Sequence, residues 1–404
     1  MRALFVHDHI FYRKDNEYYS SGGLPTFAWK RYLENVDYLY IVSRGREIDE
    51  NESKFGLIKS STSNVKFDLL FQVKGGFDYY KFKPDINNKL EEYIQKVDFV
   101  IIRVPSTIGY FAYKLCKKHS KPYVTEVVGC AWDSTWNYGS LLIKLQAPVR
   151  YFQMKKIVKS CMASTYVTQY FLQKRYPSQS RLTTYASNVQ IPIVSASVKE
   201  NHLQLINRKQ EDNDKVFKIG IIGNLNTKYK GFDIAVKALK KLKENSPSLK
   251  FQFFLVGGGD QNYIKKLIKE NQLEENCKVV GRLQVGEEIF GFLDSLDLYI
   301  HPSKQEGLPR VIIEAMSRAC PVLASSVAGI PELINEEFLH KPGDVHKLYE
   351  DLKKVLSNSN LRMKMASDNF EKAKKYGAEL LEKRRIDFFE KVVSKVNALS
   401  KESK

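Results

Sequence analysis

The feature that most restricts the fold of this chain is an alternation. Short β-rich apolar runs recur along it, each followed by a longer amphipathic segment. Runs occupy residues 2–7 (RALFVH), 98–104 (DFVIIRV), 123–128 and 163–168 (ASTYVT). After a polar stretch they resume at 217–223 (FKIGIIG), 251–257 (FQFFLVG), 278–281, 298–301 (LYIH) and 322–325. Helical spacing lies between them at 232–244, 261–271, 287–295, 310–318 and 345–357. A strand that is apolar throughout is buried on both faces, and strands separated by helices pair in parallel. The pattern predicts an α/β chain with doubly wound parallel sheets.

The 404 residues suit two domains. The polar segment 196–216 reads as a linker between an N-terminal Rossmann-like domain at 1–195 and a C-terminal one at 217–373. Residues 374–404 read as a terminal helix with apolar Leu380, Leu381, Phe388, Phe389, Val392 and Val393. Open α/β sheets bind ligands at the carboxyl ends of their strands, so a cleft between the two domains is the expected site.

Charge narrows the partners. The net charge is +18, and it is uneven. Residues 101–200 carry 14 basic side chains against 3 acidic, and residues 351–404 carry 14 against 8. Such an excess points to a polyanionic neighbour: nucleic acid, an anionic membrane surface or a phosphorylated substrate. Five cysteines without a C-x-x-C spacing fit reduced thiols in a cytoplasmic protein, with no zinc site or disulfide framework. The start reads as a strand instead of a signal peptide, and no apolar run is long enough to span a bilayer.

The chemistry concentrates in residues 297–314, DLYIHPSKQEGLPRVIIE. A strand ends at His301, a loop follows, and Pro309 stands where a helix begins. Glu306 lies in the loop and Glu314 about one turn inside the helix, so both can face one cleft from different depths. The helix N-terminus between them offers N–H groups and positive dipole to an anion. A carboxylate for sugar or ribose hydroxyls beside an anion-binding helix start describes a nucleotide-sugar site.

The run KQEGLPRVIIEAMSRACPVLASSVAGIPELI resembles the signature of the retaining glycosyltransferases of family 4, the glycosyl transferases group 1. It carries Glu306, then Glu314–Ala315–Met316, Pro321–Val322–Leu323–Ala324–Ser325 and Gly329–Ile330–Pro331–Glu332 in the family's order. Upstream, GNLNTKYKGFDIAVKAL and FFLVGGGDQNYIKKL are similar to its Lys-Gly loop and Gly-rich turn, and the match is close over residues 217–335. The first half matches more loosely, through Ser21–Gly22–Gly23–Leu24–Pro25 and KPYVTEVVGCAWD. The resemblance implies the GT-B fold, two Rossmann-like domains facing a central cleft, with residues 374–404 returning to pack on the first domain. It also implies transfer of a sugar from a nucleotide-diphosphate donor, a UDP-sugar in the first place and a GDP-sugar as the alternative. The acceptor would be a glycan or lipid-linked hydroxyl in polysaccharide or lipopolysaccharide synthesis.

Carried over residue by residue, the resemblance makes Glu306 and Lys230 the catalytic pair. Lys230 would be a point charge on the donor phosphates, and Glu306 a ligand of the donor sugar. Glu314 would accept from the ribose. Gly22, Gly23, Asn224, Lys228 and Gly257 would complete the donor site with Arg282, Ser303, Gly307, Leu308, Pro309 and Arg310. Two positions depart from the family. Val128 stands where many members have histidine, which leaves Glu126, Asp133 and His9 as acceptor-side candidates. Asn224 stands where many have arginine, which leaves Lys228 or Arg310 to supply the second cation. Neither a cofactor nor a metal is expected, because Lys230 and the helix start can neutralise the diphosphate. Asp212–Asn213–Asp214 lies in the polar interdomain stretch with no preceding strand, and His7–Asp8–His9 has no further Cys/His cluster beside it, so neither reads as a metal site.

Residues 141–176 mix Lys144, Arg150, Lys155, Lys156, Lys159, Lys174 and Arg175 with large apolar side chains. A basic amphipathic helix there would lie on the anionic inner face of the cytoplasmic membrane, or pack on the first sheet with a solvated charged face. Two other functions share some of these features. A nucleotide-sugar 2-epimerase can have the same two-domain fold, though the E-A-M and G-I-P-E motifs argue against it. A nucleic-acid-binding protein would explain the charge, but no recognised module with interleaved aromatics is present, so no nucleic-acid partner is expected.

Overall fold

A computed structural model describes residues 1–21, 23–49, 56–137, 141–192, 195–212 and 214–402. The chain divides into two compact units. The first comprises Met1–Thr135, Leu141–Ala186 and Leu381–Lys404; the second comprises Trp136–Ser140 and Ser187–Leu380.

The first unit is built on strands β1 (Arg2–Lys14), β2 (Glu17–Ser20), β3 (Tyr38–Glu47), β4 (Ile58–Lys59), β5 (Val65–Leu70), β6 (Phe99–Val104), β7 (Tyr123–Val127), β8 (Ala163–Tyr166) and β9 (Thr183–Tyr185). The parallel part runs β5-β3-β1-β6-β7-β8-β9. Strand β1 is twice as long as its apolar run suggests. Its register with β3 shifts between Val6 and Ile10, and the far half forms an antiparallel hairpin with β2. Asp15 and Asn16 make the turn at φ 54° and 58°, the left-handed pair that a two-residue hairpin of matching twist requires.

The core of this unit gathers Phe5, Phe11, Trp29 and Tyr32 with Phe388, Phe389, Val392 and Val396. The last four lie on the helix Ala378–Glu402. That helix begins later than residue 374, because Lys374–Tyr376 form a short 3-10 turn.

The segment expected as a linker is a helix of the second unit. Ala196–Glu211 is helical, and the Ser195 side chain accepts from the Ser197 N–H at its start. It looks polar because only a narrow face, centred on His202 and Ile206, is buried. Ile206 packs with Ala319, Ala366 and Phe370. The first unit therefore breaks off at Ala186, nine residues before the boundary expected from composition.

The second unit holds β10 (Phe217–Ile222), β11 (Phe251–Val256), β12 (Cys277–Gly281), β13 (Leu298–His301), β14 (Val322–Ser325) and β15 (Leu339–His340). Their order is β12-β11-β10-β13-β14-β15, and every pairing is parallel. The order reverses direction between β10 and β13, and the crevice outside that switch point is where such sheets take ligands. Among the described residues no helix is long and apolar enough to cross a membrane.

Candidate active site

Two loops leave the carboxyl ends of β10 and β13 and meet at Gly231. Its φ is 78°, and a Cβ there would lie 2.0 Å from the carbonyl oxygen of Pro302. Only glycine allows that approach. The contact is stitched by the Lys304 N–H, which donates to the Tyr229 carbonyl at 2.7 Å, and by the Ser303 hydroxyl, which donates to the same oxygen at 3.1 Å. Lys304 Nζ also reaches Asp233 Oδ2 at 3.1 Å.

This stitching brings together two residues that are 76 apart in the chain. Lys230 Nζ lies 2.7 Å from Glu306 Oε1. The same oxygen receives a second contact, from His301 Nε2 at 2.8 Å. Behind it, the Tyr299 hydroxyl lies 3.1 Å from His301 Nδ1. Burial on its own would raise the Glu306 carboxyl, but Lys230 and then His301 pull it down to about 2. It is therefore ionised at neutral pH. Burial also holds the His301 imidazole below its ordinary range, against the pull of Glu306.

Glu314 sits half-buried one turn into the helix Arg310–Ser317. Burial pushes its carboxyl up, and Arg310 offsets part of that. Pro309 is the N-cap and supplies no side-chain cap, so the helix start beside the Glu306 loop is not closed by its own N-cap residue. The Gly307 carbonyl accepts from the Gly329 N–H at 3.0 Å, so the G-I-P-E turn braces the loop. Leu308 is buried beneath it.

Several expected donor ligands hold the loops together. Ser303 is fully buried, and its hydroxyl is directed at the carbonyls of Tyr229 and Gln305. Asn224 Oδ1 accepts from the Asn226 N–H at 2.9 Å, an Asx-type turn. Lys228 is exposed, its ammonium 5.6 Å from the centre of the Tyr263 ring. A Cβ on Gly257 would meet the Gly223 carbonyl oxygen at 1.7 Å, so this glycine lets the ends of β10 and β11 close up. Arg282 follows β12, and its side chain passes Gly258.

In the first unit, Gly23 and His9 come together while Gly22 lies outside the described residues. Ser20 Oγ accepts from the N–H groups of Gly23 and Leu24 at 3.2 and 3.1 Å, so its own proton goes to His9 Nε2 at 2.8 Å. Burial, then the neighbouring His7, Arg103 and Arg44, bring His9 down to about 3. Glu126, expected on the acceptor side, is instead buried in the sheet. It stands opposite Arg103 in the β6–β7 register and accepts from the Tyr32 hydroxyl at 2.7 Å. A central strand flanked on both sides leaves this carboxylate internal partners only. Asp133 is half-buried, 3.7 Å from Arg175 Nη2.

Asp8 caps the helix Thr107–Lys118, accepting from the Thr107 and Ile108 N–H groups at 2.7 and 3.0 Å. The D-x-D run is no closer to a site: Asp214 reaches Lys250 at 3.1 Å, and Asn213 lies outside the described residues. Among the described residues no three His, Cys, Asp or Glu side chains are grouped to hold a metal ion.

Tyr299 and His301 were not singled out from the sequence, where LYIH reads as one more apolar strand. A signal was present. Side chains alternate along a strand, so Tyr299 and His301 share a face opposite Leu298 and Ile300, and two polar residues on one face of a strand buried throughout need partners.

Known proteins place this architecture. Residues 204–372 match the family described as glycosyl transferases group 1. Over 380 residues the chain is 32% identical to protein CapJ of Staphylococcus aureus, covering 94% of this chain and 92% of CapJ. It is 34% identical over 132 residues to the amylovoran biosynthesis glycosyltransferase AmsK of Erwinia amylovora, covering 30% of this chain and 32% of AmsK. Among solved structures, sucrose-phosphate synthase from Thermosynechococcus elongatus superposes with a TM-score of 0.68 at 15% identity, over 98% of this chain and 99% of that one. Anabaena HepE in complex with UDP and glucose superposes with a TM-score of 0.63 at 17% identity, over 96% and 99%. The shared architecture is the GT-B fold. The chain belongs to the group 1 glycosyltransferases.

Proposed function

We propose that this enzyme is a retaining glycosyltransferase of cell-surface polysaccharide synthesis. It moves a sugar from a nucleotide-diphosphate donor, a UDP-sugar before a GDP-sugar, to a hydroxyl of a glycan or lipid-linked acceptor. The observation that carries this is the Lys230–Glu306 pair at the switch point of the second sheet. Lys230 supplies a fixed positive charge where the departing diphosphate becomes more negative, and such preorganised charge is a large source of rate enhancement. Glu306 offers a carboxylate to the donor-sugar hydroxyls and to the positive charge that develops at the anomeric carbon. Glu314 accepts from the ribose, and the helix start beside it takes phosphate oxygens. With these groups the diphosphate is neutralised without a metal ion. UDP is favoured because HepE was solved with UDP, and polysaccharide synthesis because AmsK is named for it. Family membership favours transfer over 2-epimerisation.

Thermal-shift titration with UDP, GDP and ADP, without metal, tests the donor assignment. One nucleotide is expected to raise the melting temperature selectively, and Glu314→Ala to abolish that shift. A shift of equal size in the variant removes the ribose role.

The first unit supports contact with an anionic membrane, as a lipid-linked acceptor requires. Residues 134–199 contain no Asp or Glu and nine Lys or Arg. Within them Leu141, Leu142, Leu145, Val149 and Phe152 are each more than half exposed. Exposed apolar side chains in a stretch whose only charged side chains are cations match an anionic bilayer surface. Vesicles of phosphatidylglycerol are expected to sediment the protein, and vesicles of phosphatidylcholine to leave it in solution. Leu141→Ser with Leu142→Ser is expected to weaken that binding without lowering the melting temperature. Equal sedimentation with both lipids contradicts the assignment.

A further inference from the structure

We propose that Tyr299 and His301 are positioning residues, which fix the Glu306 carboxylate so that its Oε2 is presented to the donor sugar. The inference rests on the reading of Glu306 as a ligand of that sugar.

The protons in this chain of groups are determined. Glu306 is ionised, so Oε1 can only accept, and His301 Nε2 at 2.8 Å must carry a hydrogen. With the imidazole neutral, Nδ1 then has only a lone pair, so the Tyr299 hydroxyl at 3.1 Å must be the donor. Tyr299 thereby selects the tautomer that points N–H at Glu306. If Nδ1 carried the proton, two lone pairs would face each other at Nε2 and Oε1. The charged and titratable groups around His301 are Glu306, Lys230 and Tyr299, and His301 in turn helps to lower His340 of β15.

The result is an asymmetric carboxylate. Oε1 receives both Lys230 and His301, while Oε2 accepts no hydrogen bond from the described residues. Lys230 alone would leave the group able to pivot about its ammonium, since a Lys point charge imposes little direction. The second bond, from a ring fully buried in the sheet, removes that freedom. Tyr299 and His301 sit on β13, a rigid central strand, as accurate positioning demands. Their own burial is compensated by this same chain of hydrogen bonds.

The test compares UDP with UDP-glucose, because only the second places a sugar at Oε2. Calorimetric Kd values are measured for both on the full chain. Selective 15N-histidine and 13C-carboxyl labels report the His301 tautomer and the Glu306 titration. Tyr299→Phe removes one hydroxyl and His301→Leu removes the ring donor. Each is expected to weaken UDP-glucose roughly tenfold, the scale of supporting-group losses elsewhere, with UDP unchanged. Tyr299→Phe is expected to mix the tautomers. His301→Leu is expected to move the Glu306 titration to higher pH, because a group that lowers it is gone. His301→Gln, which keeps an N–H in reach, is expected to restore part of the affinity. If His301→Leu does not fold, Tyr299→Phe decides alone. The proposal is overturned if the variants keep the wild-type ratio of the two Kd values while Glu306→Gln changes it, or if tautomer and titration do not move. If Glu306→Gln leaves the ratio unchanged, or wild type holds UDP-glucose no better than UDP, the donor-site reading itself fails and the proposal with it.

Discussion

Lys230→Ala is expected to lower kcat/KM for the nucleotide-sugar by about 10²–10³-fold, the usual loss when one preorganised charge or donor is removed from a developing anion. Two effects combine. The leaving diphosphate loses its counter-charge, and Glu306 loses the larger of the two groups that pull its carboxyl down. Burial then dominates and the carboxyl titrates at higher pH. In the wild type, Glu306 is lowered from 4.5 to about 2, so its contribution to stability is present above 4.5 and is lost as pH falls toward 2. In the variant that loss begins at higher pH. Acid unfolding of the two proteins, followed beside steady-state kinetics, should show both changes. Lys230→Arg should recover charge but not geometry, because a planar fork replaces a compact ammonium. Wild-type kinetics in Lys230→Ala would remove this residue from the mechanism.

Phe389→Ala is expected to destabilise the first unit by about 3–5 kcal/mol, as for other large-to-small changes in a packed core. The ring is 1% exposed. It meets Tyr32 edge to face, with centroids 4.9 Å apart, and Phe388 at 5.2 Å. Tyr32 in turn donates to Glu126, so the cavity would also loosen a buried carboxylate. Urea unfolding gives the change in midpoint. The nucleotide-induced thermal shift, which reads the second unit, should survive below that midpoint. A change under about 1 kcal/mol would show that the helix packs less closely than its burial indicates.

What could be read in the sequence follows from where each signal resides. Five of the six strands of the second unit hold apolar runs whose limits are legible to within a residue; LYIH and VLAS match β13 and β14, while the two-residue β15 leaves no run to read. Strand β3 was missed because its second half, SRGRE, is polar, although Ser43 and Gly45 are buried and only its last two residues are exposed. Strand β5 was missed because VKFDLL carries Lys66 and Asp68 on a half-exposed edge. The helix Ala196–Glu211 was hidden by its narrow apolar stripe. At the site, motif order supplied Lys230 and Glu306 as individuals. Their contact depends on Gly231 admitting Pro302, which no local pattern encodes. Ser303 and Asn224 occupy motif positions, yet their side chains complete the loops that hold the pair.

The division of the chain bears on how the protein is made. The first unit needs residues from both ends of the sequence, while the second is one nearly continuous run from Ser187 to Leu380. The ends of that run are fastened to each other, with the Ala378 N–H donating to the Ile191 carbonyl at 2.9 Å. The first unit therefore cannot complete its core until Phe388, Phe389, Val392 and Val396 have been made. Translation normally favours completion of the N-terminal domain first. Here the N-terminal unit, which carries the exposed apolar and basic surface, cannot be completed before the last helix is made. A stop a few turns early would leave the second unit intact and the first without its last core layer, open to aggregation or capture by chaperones.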